Sequence, residues 1–187
     1  MVEALIDTRI CASLQLHGVL HGFRNKRGTG KDIMKLKLDQ ELISIYQDPL
    51  FLVFLDLSKA YDTADQENLL TTLEVYSVEP CLRGILKTFW DFQQVVPRQN
   101  GSHLPAFTAT RGTTQGGLVS PTLLNLVLDN VIRTCLTMAL EDQRVDHDEF
   151  GDTVRQCLGV FYADDGMVGS RDAEWLKHLM NVLVGLF

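Results

Sequence analysis

The spacing of apolar residues along the chain predicts several helices. Apolar residues recur at every third or fourth position from Met34 to Ile45, which predicts a helix over about residues 31–46. The same periodicity predicts helices at about residues 64–76, after Pro80, from an N-cap at Ser120, and over residues 173–186. Residues 1–22 have only weak periodicity, so no element is predicted there.

Short apolar runs between these helices predict strands. Residues 50–57 are apolar except for Asp56, which predicts a strand buried on both faces. An Asn100-Gly101 turn with a strand on either side is also predicted. Two more strands, at residues 157–163 and 167–170, are predicted around an Asp164-Asp165-Gly166 turn. The polar, acidic stretch between residues 141 and 152 predicts a loop.

Composition narrows the class of protein. The 187 residues are 45% hydrophobic and 22% charged, which is ordinary for a globular protein and excludes disorder. The longest apolar run has six residues, far short of the roughly 20 that a membrane span needs. No secretory signal is visible, so we expect an intracellular protein, in the cytoplasm or nucleus. The four cysteines lie far apart, which predicts reduced core thiols: Cys11, Cys81, Cys135 and Cys157.

The charge is unevenly distributed. The net charge of −7 taken alone argues against a nucleic-acid-binding protein. Residues 1–40 hold seven basic and four acidic residues, a net charge of +3, whereas the remaining ten basic and twenty acidic residues give −10. This division suits an anionic ligand on one side and cations on the other.

Three carboxylates are candidates for metal ligands. Asp56 ends an apolar strand, and Asp164 and Asp165 are adjacent acids in a predicted hairpin. Hard oxygen ligands suit Mg²⁺ or Mn²⁺, and such a set can hold two ions about 3.5–4 Å apart. Two simpler interpretations stay open, an exposed strand-end or N-cap Asp56 and ordinary turn chemistry at Asp164-Asp165. The spacing alone does not show that the three carboxylates meet.

Four motifs resemble those of reverse transcriptases. Phe51-Leu-Val-Phe-Leu-Asp-Leu-Ser-Lys-Ala-Tyr-Asp-Thr resembles the first catalytic motif, and Thr110-Arg-Gly-Thr-Thr-Gln-Gly-Gly-Leu-Val-Ser-Pro-Thr-Leu-Leu-Asn resembles the second. Phe161-Tyr-Ala-Asp-Asp is similar to the Tyr-x-Asp-Asp box. Gly22-Phe-Arg-Asn-Lys-Arg-Gly-Thr resembles the upstream fingers motif of the non-LTR retrotransposon and group II intron branch. The four motifs occur in the family's order.

This resemblance implies an α+β fold and a polymerase. The fold would be a polymerase palm, an antiparallel sheet with helices packed on one face, plus partial fingers. Residues 1–49 would be the fingers segment and residues 50–187 the palm. The implied activity is RNA-directed DNA polymerisation, with an RNA template, a DNA primer and dNTP as partners. The metal ligands of two Mg²⁺ or Mn²⁺ ions would be Asp56, Asp164, Asp165 and the backbone carbonyl of Leu57.

The resemblance also implies roles for residues around the nucleotide. Tyr61 would lie beneath the sugar and favour dNTP over NTP, although a core-facing aromatic is the alternative. Gln115 and Gly116 would approach the incoming nucleotide, although Gln-Gly-Gly is by itself a flexible turn. Arg24 and Arg27 would contact the triphosphate, and Arg111 and Lys31 would contact the template. The alternative is that these side chains are solvated surface charges.

The chain also departs from the family's pattern. It ends inside the helix after Asp164-Asp165, before the positions of the primer-grip hairpin and thumb, so we expect a truncated domain that binds metal but extends a primer poorly. A non-catalytic relic that keeps the fold and the metal site is one alternative. A group II intron maturase or a related bacterial enzyme is another.

Overall fold

The computed structural model describes residues 2–24, 26–46, 49–114, 116–141 and 158–186. In chain order the described elements are α1 (Val2–Ser13), α2 (Thr29–Tyr46), β1 (Phe51–Asp56), α3 (Ala60–Thr63), α4 (Gln66–Val75), α5 (Pro80–Phe92), β2 (Gln94–Val95), β3 (Arg98–Gln99), β4 (Ser102–His103), β5 (Phe107–Thr108), α6 (Ser120–Glu141), β6 (Leu158–Tyr162), β7 (Asp165–Ser170) and α7 (Ala173–Leu186). Helices and antiparallel strands are therefore mixed, which confirms the predicted α+β class.

The chain forms two compact units. The first comprises Met1–Gln15 and Lys59–Val127, and the second comprises Leu16–Ser58 and Leu128–Phe187. These bounds do not coincide with position 49, so the division into a fingers segment and a palm stays a prediction. None of the described helices is long and apolar enough to cross a membrane.

The first unit is built around helices α1, α4 and α5. Helix α5 begins at Pro80, whose fixed φ suits the first turn, and buries Leu82, Leu86 and Trp90 on one face. These side chains belong to a buried apolar cluster with members from all three helices: Ile6, Ile10, Leu69, Leu73, Val78, Leu82, Leu86, Trp90, Val119, Leu123 and Leu126. Two short antiparallel ribbons, β2 with β5 and β3 with β4, follow α5.

The second unit contains an antiparallel sheet in the order β1-β7-β6. The central strand β7 is buried from Gly166 to Ser170. Phe161 and Val168 lie on one face of this sheet, as the alternation of side chains requires. With Cys135 of α6 and Leu179 of α7, these two residues line an apolar cavity of about 100 Å³, so both helices pack on that face.

The strand predicted over residues 50–57 forms as β1, but the prediction that it is buried on both faces is wrong. Strand β1 lies at the edge of the described sheet, and each of its six residues is exposed or half-buried. The side chain of Phe54 is 75% exposed. The strand that is buried along its length is instead β7, whose glycines and small residues allow neighbours to pack closely on both sides.

The hairpin turn begins one residue earlier and ends two residues earlier than predicted. Ala163 and Asp164 form the turn, and Asp165 is already the first residue of β7. Gly166 is a packing residue, because a Cβ there would lie 2.6 Å from the Phe161 ring and 3.3 Å from Leu55 Cβ. The Asp165-Gly166 pair is typical of hairpin turns, but in this protein it lies within strand β7.

Several helix predictions also needed correction. The helix predicted over about residues 64–76 is confirmed as α4, but the short helix α3 before it and α1 within residues 1–22 were not predicted. Ser120 is the first residue of α6 instead of its N-cap, and its hydroxyl donates to the Thr114 carbonyl at 2.8 Å. The helices predicted over residues 31–46 and 173–186 and the Asn100-Gly101 turn are confirmed. The loop predicted over residues 141–152 falls almost entirely outside the described residues.

The prediction for the cysteines is partly confirmed. Cys11, Cys81 and Cys135 are free thiols. Only Cys135 of these three is buried, and Cys11 and Cys81 are exposed, so the prediction that they are core residues is wrong. Cys157 lies outside the described residues.

Candidate active site

The strand register brings Asp56 and Asp165 face to face. Asp56 is the last residue of β1 and pairs with Asp165, the first residue of β7. Asp165 also pairs with Tyr162, the last residue of β6. Because cross-strand partners share a face, these three side chains form a row across the end of the sheet. The carboxylates of Asp56 and Asp165 are both exposed.

Asp164 is tied to the same end of the sheet. The Leu57 N–H donates to the Asp164 carbonyl at 3.0 Å, which extends the pairing of β1 and β7 by one residue. Leu57 and Asp164 therefore make the hydrogen-bonded contact, and Asp56 and Asp165 form the next, non-hydrogen-bonded pair. The Cα atoms of such a pair are about 4.5 Å apart and the side chains are correspondingly close.

The chemistry of this group fits a hard cation. Like charges directly opposite each other on a sheet destabilise it, and a divalent cation relieves that repulsion. Among the described residues, no Lys, Arg or His forms an ion pair with Asp56, Asp164 or Asp165. Within the described ranges, no three Asp, Glu, His or Cys side chains are already gathered as a metal-binding cluster. The donor types and the facing pair fit Mg²⁺ or Mn²⁺, and Asp164 would have to turn toward that pair.

The glycine- and arginine-rich segment runs beside the β6-β7 hairpin. His21 and Gly22 both donate their N–H groups to the Phe161 carbonyl, at 2.8 and 3.3 Å. The rings of Phe23 and Tyr162 are 6.3 Å apart between centroids and inclined by 32°. This segment includes the motif that resembles the upstream fingers motif of reverse transcriptases. Its first residues contact β6, the strand that ends at Tyr162.

The basic side chains of this segment bind backbone carbonyls. The Arg24 guanidinium donates to the carbonyls of His17 and Leu20, at 2.8 and 2.9 Å. Arg27 donates to the Gly18 carbonyl, and Lys31 donates to the Lys26 carbonyl at 2.9 Å. Arg24 thus fixes the loop that carries it, and the nucleotide and template contacts of all three side chains stay predictions.

Partial burial affects the pKa of Arg24. Desolvation, and then the neighbouring Arg27 charge, lower the pKa of Arg24, while Asp129 opposes this shift. The guanidinium nevertheless remains protonated at neutral pH, because arginine loses its proton only far above that pH. Arg24 therefore keeps the donors with which it holds the loop.

Tyr61, expected beneath the sugar, and Arg111, expected at the template, belong to the first unit. Tyr61 is half-buried, and its carbonyl accepts from the Thr113 N–H at 2.8 Å. Arg111 lies 3.9 Å from Asp65 and its side chain is 74% exposed. These two contacts connect the start of the second motif with α3, which contains Tyr61, and with Asp65, the residue before α4.

The Gln-Gly-Gly turn is only partly described. Gly116 has a φ of +88°, a value that side chains with a Cβ rarely adopt, and the Gly117 N–H donates to the Thr114 carbonyl at 2.8 Å. These contacts define a tight turn in which Gly116 has the glycine-favouring backbone. Gln115 lies outside the described residues.

Sequence reasoning missed two residues beside the carboxylates and one buried carboxylate elsewhere in the second unit. Tyr162 lies in the row of Asp56 and Asp165, although the sequence offers it only as one residue of the Tyr-x-Asp-Asp motif. Phe23, which contacts Tyr162, carries no separate sequence signal. Asp129 is fully buried in α6, and a charged residue within a largely apolar helix is the available signal.

Comparisons with known proteins identify the family of this chain. The sequence profile of the family described as reverse transcriptase (RNA-dependent DNA polymerase) matches residues 1–186. The retrovirus-related Pol polyprotein from the type-2 retrotransposable element R2DM of Drosophila melanogaster is 27% identical over 140 residues. That alignment covers 71% of this chain and 13% of the relative, so the chain spans a small part of the length of that protein.

Solved structures show the same fold at low sequence identity. Apo telomerase from Candida tropicalis has a TM-score of 0.69 at 12% identity, covering 97% of this chain and 36% of that one. Telomerase from Candida albicans, in complex with a fragment of telomeric RNA, has a TM-score of 0.68 at 13% identity, covering 98% of this chain and 31% of that one. The RNA-dependent RNA polymerase of bacteriophage phi12 has a TM-score of 0.53 at 10% identity, covering 77% and 24%.

The family profile spans nearly the whole chain, and the four motifs are arranged on a fold shared with telomerases. The chain therefore belongs to the reverse transcriptase (RNA-dependent DNA polymerase) family.

Proposed function

We propose that this chain is the catalytic part of an RNA-directed DNA polymerase from a retroelement of the non-LTR type. It would transfer nucleotides from dNTP to the 3′-hydroxyl of a DNA primer paired with an RNA template, inside the cell. The observation that carries the proposal is the pairing of Asp56 with Asp165, with Asp164 adjacent. In this proposal residues 1–49 contribute to the fingers and residues 50–187 to the palm.

The metal site in this proposal uses the end of the β1-β7 ladder. The carboxylates of Asp56, Asp164 and Asp165, with the Leu57 carbonyl, would hold two Mg²⁺ or Mn²⁺ ions. Such ions, when bound, lower the pKa of a primer hydroxyl and neutralise charge on a leaving pyrophosphate. The protein itself contributes positioning and charge instead of covalent chemistry, as phosphoryl transfer in general requires.

The side chains that would select and orient substrate have separate roles. Asp56 and Asp165 are held by paired strands, so their separation is fixed before substrate arrives. Tyr61 would exclude a ribose 2′-hydroxyl by steric clash, which favours dNTP over NTP. Gln115 and Gly116 would bring the chain close to the incoming nucleotide, and the basic side chains would bind phosphates through Arg24, Arg27, Lys31 and Arg111.

Metal binding tests the site directly. Isothermal titration with Mn²⁺ should show binding by the unaltered chain and binding weakened about tenfold or more in Asp165→Asn and Asp56→Asn, because each variant removes a charged oxygen ligand. Asp91→Asn is the matched control, since Asp91 is an exposed carboxylate on α5 with only a surface ion pair to Lys87. Equal Mn²⁺ affinity in the unaltered chain and Asp165→Asn would contradict the proposal.

Nucleotide incorporation distinguishes an enzyme from a relic. With an RNA template, a DNA primer and labelled dNTP, the unaltered chain should extend the primer poorly but measurably, and Asp165→Asn should not extend it. Mn²⁺ binding that depends on Asp165 without any incorporation, even at saturating template and primer, would favour a non-catalytic relic that retains the metal site.

A further inference from the structure

The turn between β6 and β7 has a strained backbone. Ala163 has a φ of +58°, in the left-handed region that residues with a Cβ rarely adopt. Ala163 is nevertheless buried, with a relative exposure of 9%, and Asp164 follows it directly. This strained turn contains Asp164 and leads into Asp165, and such a turn persists only where surrounding contacts determine its conformation.

Gly22 lies against this turn. A Cβ built on Gly22 would be 2.5 Å from the Ala163 nitrogen and 3.2 Å from the Tyr162 carbonyl carbon. Both contacts are with backbone atoms, which cannot give way as the end of a flexible side chain does. Only glycine therefore allows this segment to approach the turn so closely.

Phe23 contacts Tyr162, the residue that comes directly before the turn. Its ring packs against Tyr162, whose side chain is in the row of Asp165 and Asp56. Phe23 has a φ of +55°, so it shares the unusual left-handed backbone of Ala163. Phe23 and Ala163 are the chain neighbours of Gly22 and Tyr162, so the contacts between these two segments help to maintain both unusual conformations.

The segment that carries Gly22 and Phe23 is anchored at its other end to a buried carboxylate. Arg24 donates to the carbonyls of His17 and Leu20, which closes residues 17–24 into a compact loop. Asp129 of α6 has no exposed surface and accepts from the His17 N–H and, at 2.6 Å, from Arg133 Nε. Residues 17–24, named here the clamp segment, are thus held on a rigid helix.

We propose that the clamp segment fixes the Ala163-Asp164 turn and thereby positions the carboxylates of Asp164 and Asp165. Gly22 supplies the close backbone contact, Phe23 supplies the ring contact, and Asp129 supplies the anchor. These are positioning residues that act through the hairpin. The inference rests on the proposed function in one respect, which is that the hairpin carboxylates bind metal.

The first test needs no metal. In the ¹H–¹⁵N spectrum of the full chain, Gly22→Ala should shift the amide signals of Ala163, Asp164 and Asp165. Gly18→Ala is the matched control, because Gly18 lies in the same segment and a Cβ there would meet nothing within 4 Å. Unmoved Ala163 to Asp165 signals in Gly22→Ala would overturn the proposal.

The second test measures the consequence for metal. Phe23 is 56% exposed, so Phe23→Ala should leave the unfolding temperature nearly unchanged but weaken Mn²⁺ binding about tenfold, as outer-shell substitutions do. Phe23→Tyr, which keeps the ring, should restore the affinity, whereas loss of a purely structural contact would change stability and leave Mn²⁺ affinity alone. Unchanged affinity in both Phe23→Ala and Gly22→Ala would overturn the positioning role.

The two tests separate this inference from the proposed function. If the unaltered chain failed to bind Mn²⁺, the metal site of the proposed function would be contradicted. The amide signals would still decide whether the clamp segment fixes the turn.

Discussion

Single residues fix the loops of this protein through backbone geometry. Gly112 has a φ of +85°, and a Cβ there would lie 2.9 Å from the Asp62 carbonyl oxygen. Gly116 has nearly the same φ, +88°, but nothing within 4 Å of a Cβ. The two glycines share a conformational requirement and differ in steric surroundings, so they separate the two causes of glycine dependence.

We expect Gly112→Ala to destabilise the chain more than Gly116→Ala. The φ penalty, about 1–2 kcal/mol, is common to both, and the clash with Asp62 adds to it only at Gly112. Urea unfolding of the two variants measures the difference. Equal losses of unfolding free energy would show that the loop around Gly112 moves without cost.

The carboxylate pair is also a residue-scale feature that the sequence anticipated only in part. The residue types at Asp56, Asp164 and Asp165 indicated a hard-cation site. Their spacing of more than a hundred positions left open whether they meet. The register of β1 with β7 brings Asp56 and Asp165 together, and Asp164 is in the turn beside them.

At the scale of elements, helix ends are fixed by local hydrogen bonds. Helix α7 begins after Asp172, whose Oδ1 accepts from the N–H groups of Glu174 and Trp175 at 2.9 and 3.1 Å. The carboxylate satisfies two donors that have no partner within the helix. This cap also fixes where the chain leaves β7 and turns into a helix that packs on it.

Asp172→Ala should reduce the free energy of unfolding by about 0.5–2 kcal/mol, because both N–H groups lose their acceptor. Asp172→Asn should retain most of the stability, since the amide oxygen is still an acceptor. Thermal and urea unfolding followed by circular dichroism compare the variants. A loss in Asp172→Asn as large as that in Asp172→Ala would indicate that charge, and not the capping bond, is responsible.

At the scale of the whole molecule, stability should depend on the protonation of His17. Desolvation, and then the Arg133 charge, lower the pKa of His17 from its ordinary value of 6.5, and Asp129 opposes this shift. The Val19 N–H also donates to Nδ1 of this ring at 3.4 Å. The folded chain therefore binds this proton less readily than the unfolded chain, and stability falls as pH decreases below that value.

Urea unfolding between about pH 5 and pH 8 should show this decrease in the unaltered chain. His17→Gln should flatten the acid side of the profile, because it removes the group whose pKa differs between states. The exposed His103 provides the control variant His103→Gln, which should keep the decrease. An equally steep profile in His17→Gln would contradict this assignment.

The local pattern of the sequence by itself determined the helices and several turns. The periodicity from Ala173 to Leu186 predicted α7 with its observed bounds, and Asn100-Gly101 predicted the β3-β4 turn. Both depend on residues close in the chain, where spacing and backbone preference act directly. The three candidate carboxylates and the four motifs could also be recognised from the sequence alone.

Only the tertiary structure decided which distant residues meet. It set the pairing of Asp56 with Asp165, moved the turn to Ala163-Asp164, and used Gly166 for packing against Phe161. It also brought Gly22 against that turn. The pairing of Asp56 with Asp165 and the approach of Gly22 to the turn join segments more than a hundred residues apart, and the Gly166 contact depends on close packing. Local periodicity carries no information about register or close packing.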